Sequence, residues 1–330
     1  MKTFIDPEEK FLIEIPTDWY FTTAKSGGDK APYIFEPYID QELAFQISIK
    51  PKPENSEGSE IQPAGSNHIN FIEDGIPGLQ LPNMKSWHGI VGDKLIIITL
   101  THNPQLDQTR IAEELAKAEN SKQTFILLDH ASREKVVPKV RWNNLLLAHA
   151  ASLDLSNRAF NNGSNLELVV LLANQIDSML RQAIILKIQL QDQSDTIDVG
   201  LIHQKENDRP IMEKSIYKKA LSLSIIDNQT HQLLSDLYVI RNKSVHRFII
   251  SDLRTDDIIQ LVWSYSQLIS SIGVILKGLE KEQFEKQIGL FKGQVPPDSP
   301  VDSKMFDELI SVIRDKHGNR RLNEDITIGK

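Results

Sequence analysis

The stretch Arg241-Asn-Lys-Ser-Val-His246 puts a guanidinium, a carboxamide and an imidazole close together in an otherwise apolar run. If the segment is helical, Asn242 and His246 are four positions apart and stack on one face, with Arg241 leaning over the same edge. Leu237, Ile240, Val245 and Phe248 supply the apolar positions that would hold this turn still. A planar guanidinium suits the oxygens of a phosphate, and an imidazole gains or loses a proton near neutral pH. Lys243, Arg247 and Arg254 add positive charge, and Asp252 is the one acid between residues 237 and 255. A cationic site that carries an imidazole and needs no metal fits cleavage of a phosphodiester that brings its own nucleophile, the 2′-OH of RNA. Arg241, Asn242 and His246 are therefore the expected catalytic residues, and Lys243, Arg247 and Arg254 the expected RNA-binding ones.

Other chemistries find little support. The chain has no cysteine, which removes disulfides, thiolate catalysis and Cys-ligated zinc together. Its nine histidines are scattered singly, with no pair at metal-ligand spacing, so neither a metal nor a cofactor is expected. Ser26-Gly-Gly-Asp-Lys30 lacks phosphate-loop spacing and reads as a turn. No G-x-S-x-G element supports an acyl-transfer serine. Glu8-Glu9 reads as solvated surface, and Trp87-His88 as sheet packing. Asp177 and Arg181, four apart, are expected to form an intrahelical ion pair worth a few tenths of a kcal/mol. A secondary role facing the cleft is the alternative for that pair.

The elements that must position these residues fall into two halves. In the first, Phe11–Ile15 alternates as a strand and is stopped by Pro16, with Trp19 just beyond. Residues 42–50 alternate again, and residues 51–67, rich in Pro, Glu, Ser and Gly, form a loop. Segments 87–91 and 94–101 flank Gly92-Asp93 and read as a hairpin whose tight turn needs positive φ. A short helix over 111–120 and a last strand over 124–128 complete this part.

From about residue 141 the period becomes helical. A helix over 141–160 ends at Asn161-Asn-Gly163, and Ser164-Asn-Leu-Glu167 is a capping-box sequence opening a long apolar helix to about Leu190. A polar stretch, 191–210, precedes a helix over 211–226. Asp227 or Asn228 then caps the helix that carries the Arg–Asn–His stretch. A short loop, 248–254, leads to a helix opening with Asp256 and Asp257, as the helix dipole prefers. Residues 258–276 carry no formal charge and approach membrane-spanning length. Their apolar residues nevertheless recur at 258, 261/262, 265, 268/269, 272 and 275/276, opposite serines and glutamines, so a soluble helix, buried or facing a second subunit, is expected. A Pro-rich linker at 296–300 and an amphipathic helix over 302–316, closed by Gly318, follow.

The organisation expected is therefore α+β. A mixed α/β domain over 1–130, regulatory or binding in role, precedes an all-helical bundle over 141–280 and a linker, helix and tail over 281–330. The net charge of −8 is uneven. Residues 1–140 carry 14 Lys+Arg against 21 Asp+Glu, and the remainder 23 against 24. The acidity excludes a protein that coats nucleic acid through broad basic excess, yet leaves room for a local basic cleft in the second half. The opening MKTFIDPEEKF lacks an apolar core and is not expected to be a signal peptide. A cysteine-free chain is compatible with a reducing cytoplasm, the expected location.

Two resemblances add to this reading. The pattern F-x-I-x-I-P-x-x-W over residues 11–19 is similar to the first strand of PsbP-like α/β sandwich domains. The helical region resembles the HEPN superfamily, whose R-N-x-x-x-H signature is matched by Arg241, Asn242 and His246. Leu166 to Leu190, with Gln175-Ile-Asp177-Ser-Met-Leu-Arg181, looks like the long early helix of that family. The HEPN resemblance implies a metal-independent endoribonuclease that works as a homodimer, often as a toxin or phage-defence effector held by an antitoxin or regulatory partner. The alternative it leaves open is a catalytically silent dimerisation or nucleotide- or protein-binding module.

Overall fold

The computed structural model describes residues 1–22, 32–39, 41–52, 69–73, 82–205 and 208–293. The linker at 296–300, the helix over 302–316 and the Ser26–Lys30 turn expected from the sequence lie outside them, as does nearly all of the 51–67 loop. The fold is α+β, with sheets first and helices after. Two compact units divide between Val140 and Arg141, a point that falls inside helix α2 (His130–Asn161).

In the first unit, β1 (Lys2–Ile5), β2 (Phe11–Ile15) and β9 (Ile126–Leu127) form a three-stranded antiparallel sheet. A six-stranded antiparallel sheet runs β3-β4-β5-β8-β7-β6, from Trp19–Thr22, Tyr33–Pro37, Leu43–Pro51, Lys94–His102, Met84–Val91 and Ile72–Glu73 respectively. Period-2 alternation sets which side chains go in. Register then aligns them, Phe35 opposite Phe45, Phe45 opposite Leu100, and Ile47 and Trp87 both opposite Ile98. These residues share one core with Phe11, Ile13 and Ile15, while Leu12, on the other face of β2, packs with Ile5, Leu128 and Val137. The β7–β8 turn has positive φ at Gly92 (56°) and not at Asp93, so one glycine suffices where the spacing alone puts the requirement on the turn as a whole.

Helix α1 (Gln108–Gln123) is anchored to this unit by two indoles. Trp19 Nε1 donates to Glu114 Oε2 at 2.8 Å, and Trp87 Nε1 donates to Glu119 Oε1 at 3.1 Å. Glu114 is buried, and Lys117 Nζ reaches both it (2.9 Å) and Asp18 (2.6 Å), so the interior carboxylate is paired.

The second unit is a helical bundle around α3 (Asn165–Asp192). Leu168, Val169, Ala173, Ile176, Leu180, Ile184 and Leu186 are buried along it, which is why this helix reads as apolar on nearly all sides. Helix α7 (Thr255–Lys286) lies along α3 and buries Ile258, Leu261, Tyr265, Leu268 and Ile272. Each such side chain contributes about 1.5–3 kcal/mol. Near the far end, Gln283 Nε2 donates to Gln189 Oε1 at 2.8 Å and to the Leu186 carbonyl at 3.0 Å. A Cβ on Gly289 would lie 2.6 Å from Gln283 Cδ, so only glycine fits over this glutamine pair.

Three expectations change. The helix expected over 141–160 begins at His130, because Asp129 Oδ1 accepts from the Ser132 N–H at 2.7 Å and opens a helix that carries Pro138 within it. Ser164 does occupy the N-cap of α3, but its side chain makes no capping hydrogen bond. The polar stretch 191–210 holds a short helix, α4 (Val199–Ile202). Both α3 and α7 are long and apolar enough to cross a membrane by length and composition. The most apolar window of α3 is 67% buried inside the bundle and that of α7 28%, so α7 keeps an outward face.

Candidate active site

The Arg–Asn–His stretch closes helix α6 (Asn228–Arg247), whose N-cap is Asp227, its carboxylate accepting from the Thr230 N–H at 2.7 Å. Leu234, Leu237 and Ser244 face inward and set the helix's rotation. That rotation leaves Arg241 and Asn242 half-buried and His246 exposed in the last turn. Positive charge in the last turn, where Arg247 sits, also agrees with the helix dipole.

Arg241 is held on three sides. Its Nη1 donates to Glu213 Oε1 at 2.6 Å, in the first turn of α5 (Glu213–Ser222). Nε and Nη2 donate to Asn242 Oδ1 at 3.3 and 2.9 Å. The guanidinium lies 5.0 Å from the centre of the Tyr238 ring, a cation–π contact from one turn back. The Arg241 and Glu213 side chains are only 12% and 19% exposed, so this ion pair is largely shielded from water. The second oxygen of Glu213 accepts from Tyr217 Oη at 3.1 Å.

The charges of this cluster reach further. Burial pushes the Tyr217 phenol up, helped by Glu213, and burial likewise raises the Tyr265 phenol on α7. Burial opposes the charge on Arg241, but its bond to Glu213 outweighs that and holds it more firmly protonated. Asp177 belongs to the same environment. Burial raises its carboxyl, Arg181 pulls it down, Glu213 raises it and Arg241 lowers it. Two polar atoms here, Asp177 Oδ1 and Tyr265 Oη, are buried without a hydrogen-bond partner.

The Asp177–Arg181 pair forms as expected, Nε to Oδ2 at 2.6 Å. Arg181 also donates from Nη1 to the Leu201 carbonyl (2.7 Å) and from Nη2 to the Ile211 carbonyl (3.2 Å). Its work is therefore to fasten the segment between α3 and α5, while Asp177 is the member that shares the electrostatics of Arg241. Lys243, Arg247 and Arg254 are exposed. Arg254 caps α7 through its backbone N–H, which donates to Asp257 Oδ2 at 2.8 Å, leaving its side chain outside. No group of His, Cys, Asp or Glu able to hold a metal ion occurs among the described residues.

Of the apolar stripe over 258–276, Ile258, Leu261, Tyr265, Leu268 and Ile272 take the buried alternative. These residues are buried in the chain's own helical unit, where α7 packs chiefly along α3. Exposed apolar side chains include Val239, Val245, Ile249 (95% exposed) and Ile250 (82%), next to Arg241–His246 in sequence, and Trp263 and Val274 on α7.

Sequence reasoning missed Glu213 and the tyrosines. Tyr238, three residues before Arg241 on the same helix, was within reach of a spacing argument. Glu213 lies on another helix, and nothing in its local sequence points to Arg241.

No protein-family model matches the chain, and no curated protein does. Among solved structures, a crystal structure from Bacteroides thetaiotaomicron is similar at 11% identity and a TM-score of 0.27, over 54% of this chain and 76% of that one. The solution structure of cyanobacterial PsbP (CyanoP) from Synechocystis sp. is similar at 14% identity and a TM-score of 0.23, over 38% of this chain and 92% of that one. Neither bears on the chemistry of the helical site.

Proposed function

We propose that the helical unit is a metal-independent endoribonuclease that acts as a homodimer. The observation that carries this reading is the end of α6, where Arg241 and Asn242 interlock and His246 stands exposed one turn beyond. RNA cleavage needs a base to take the 2′-OH proton and an acid to protonate the leaving 5′-oxygen. As the 2′-oxygen bonds to phosphorus, the bond to the 5′-oxygen breaks and a 2′,3′-cyclic phosphate remains. Each chain offers one suitable imidazole here, so a two-fold dimer is needed to bring two His246 side chains into one cleft, one as base and one as acid. The exposed apolar residues beside the site, Val245, Ile249 and Ile250, are the surface for that pairing. Asn242 orients the imidazole or a phosphate, Arg241 supplies positive charge from a fixed position, and Lys243, Arg247 and Arg254 hold the RNA backbone. This reading places the protein in the cytoplasm as a toxin or phage-defence effector, with the acidic N-terminal unit or a separate antitoxin as its regulator.

A second reading is favoured by one observation, the neutralisation of Arg241 by Glu213. An arginine already paired with a carboxylate is what a catalytically silent dimerisation or nucleotide- or protein-binding module would carry. Incubating the full-length protein with RNA in EDTA, beside His246→Ala, separates the two. Cleavage by the wild type alone, leaving cyclic-phosphate ends, supports the nuclease. RNA left intact by a well-folded wild-type dimer selects the binding module, and a monomer at micromolar concentration by light scattering removes the shared site.

A further inference from the structure

We infer that Glu213 is a positioning residue for the reaction proposed above, acting through Arg241; the inference rests on that reading. Three observations lead to it. Glu213 takes the Nη1 edge of Arg241 at 2.6 Å, while Asn242 takes the opposite edge and Tyr238 the face. The carboxylate is itself held, because its other oxygen accepts from Tyr217, which is 1% exposed. It also stands in the first turn of α5, where the helix dipole favours a negative charge. The guanidinium therefore has one orientation imposed from a neighbouring helix before any RNA arrives.

The same pairing could be a brake, with an RNA phosphate competing against the carboxylate for Arg241. Burial decides against it. With Arg241 in place the Glu213 side chain is 19% exposed, and releasing Arg241 would leave this largely shielded carboxylate with only Tyr217 to offset the loss of its counter-ion, which is unfavourable. Phosphate binding thus falls to the exposed cations, and Arg241 acts from where Glu213 sets it. A pre-set dipole that needs no rearrangement serves the transition state better than the bound ground state.

The test uses the full-length protein with Glu213→Gln, which keeps shape and hydrogen bonding but loses charge, and Glu213→Asp, which keeps charge but withdraws it by one methylene. Circular dichroism and light scattering establish that both variants fold and assemble. Steady-state cleavage of a labelled RNA in EDTA then gives kcat and KM. The expected result is a kcat about 10–100-fold lower for Glu213→Gln with KM changed less than about threefold, and partial recovery in Glu213→Asp. A lower KM or higher kcat in Glu213→Gln means the pair is a brake, and overturns the inference. Unchanged kinetics in both variants overturns it while leaving the nuclease standing. An inert wild type overturns the nuclease reading and this inference with it. If Glu213→Gln fails to fold, Tyr217→Phe, which removes only the support of the carboxylate, must show the same kcat loss in smaller measure, and unaltered cleavage there counts against the proposal.

Discussion

Arg241 on α6 and Glu213 on α5 meet at 2.6 Å in a partly buried contact, twenty-eight positions apart in the chain. The pair ties together two helices and fixes the orientation of a guanidinium, so in the proposed reaction the same residue would carry both a structural and a chemical load. This separates two substitutions that the sequence alone would treat alike.

His246 is exposed and Arg241 is not. His246→Ala is expected to leave the thermal midpoint unchanged and to abolish cleavage, since in a dimer it removes both acid and base, each worth on the order of 10²–10⁴-fold. Arg241→Ala is expected to abolish cleavage and also to lower stability by about 1–3 kcal/mol, because it leaves a largely shielded carboxylate without its cation. Sequence alone predicts that Arg241→Ala leaves the fold intact, since it shows only a polar residue at a cleft. Denaturant melts of the two variants side by side check the difference.

The exposed cations should show themselves through salt. Single charge-removing changes at Lys243, Arg247 or Arg254 are expected to weaken RNA binding across sequences. Each should also reduce the slope of log K against log salt by about 0.7 for every phosphate it no longer neutralises. Filter binding of a cleavage-dead His246→Ala protein over a salt series reads this directly. A slope that stays the same for all three would assign the RNA path elsewhere.

Tyr265 offers a cleaner test of its environment. Its hydroxyl is fully buried beside the charges of Arg241 and Glu213 and has no hydrogen-bond partner. Tyr265→Phe removes an unsatisfied polar group without changing the packing, and is expected to stabilise the fold by about 1 kcal/mol. A loss of stability in the melt would mean that the hydroxyl is satisfied in solution.

Acid sensitivity is expected from His149 on α2, whose imidazole is held below its ordinary pKa by burial. In the unfolded chain it takes up its proton at about pH 6.5. As pH falls below that value the unfolded state binds the proton first, so stability is lost between about pH 6.5 and the lower folded value, and is flat above it. His149→Gln should flatten the dependence over that window when urea midpoints are compared at about pH 5.5 and 7.5.

Residue order alone carried much of this molecule, and the reason is periodicity. The alternation in Phe11–Ile15 and in residues 42–50 reports on neighbours two apart, so strands were legible without knowing their partners. The stripe from 258 to 272 and the four-residue interval between Asn242 and His246 report on one helix face in the same way. The Asp177–Arg181 pair was legible because both partners sit on one helix. What lay beyond reach needed a second element. The apolar stripe of α7 could not say whether α3 or another subunit would cover it, because burial depends on what arrives opposite. The ion pair between Arg241 and Glu213 exists because α5 and α6 pack together in this order, and no spacing within either helix encodes it. Sequence named the groups that could do chemistry, and packing decided that one of them is held from the side while the other is left at the surface.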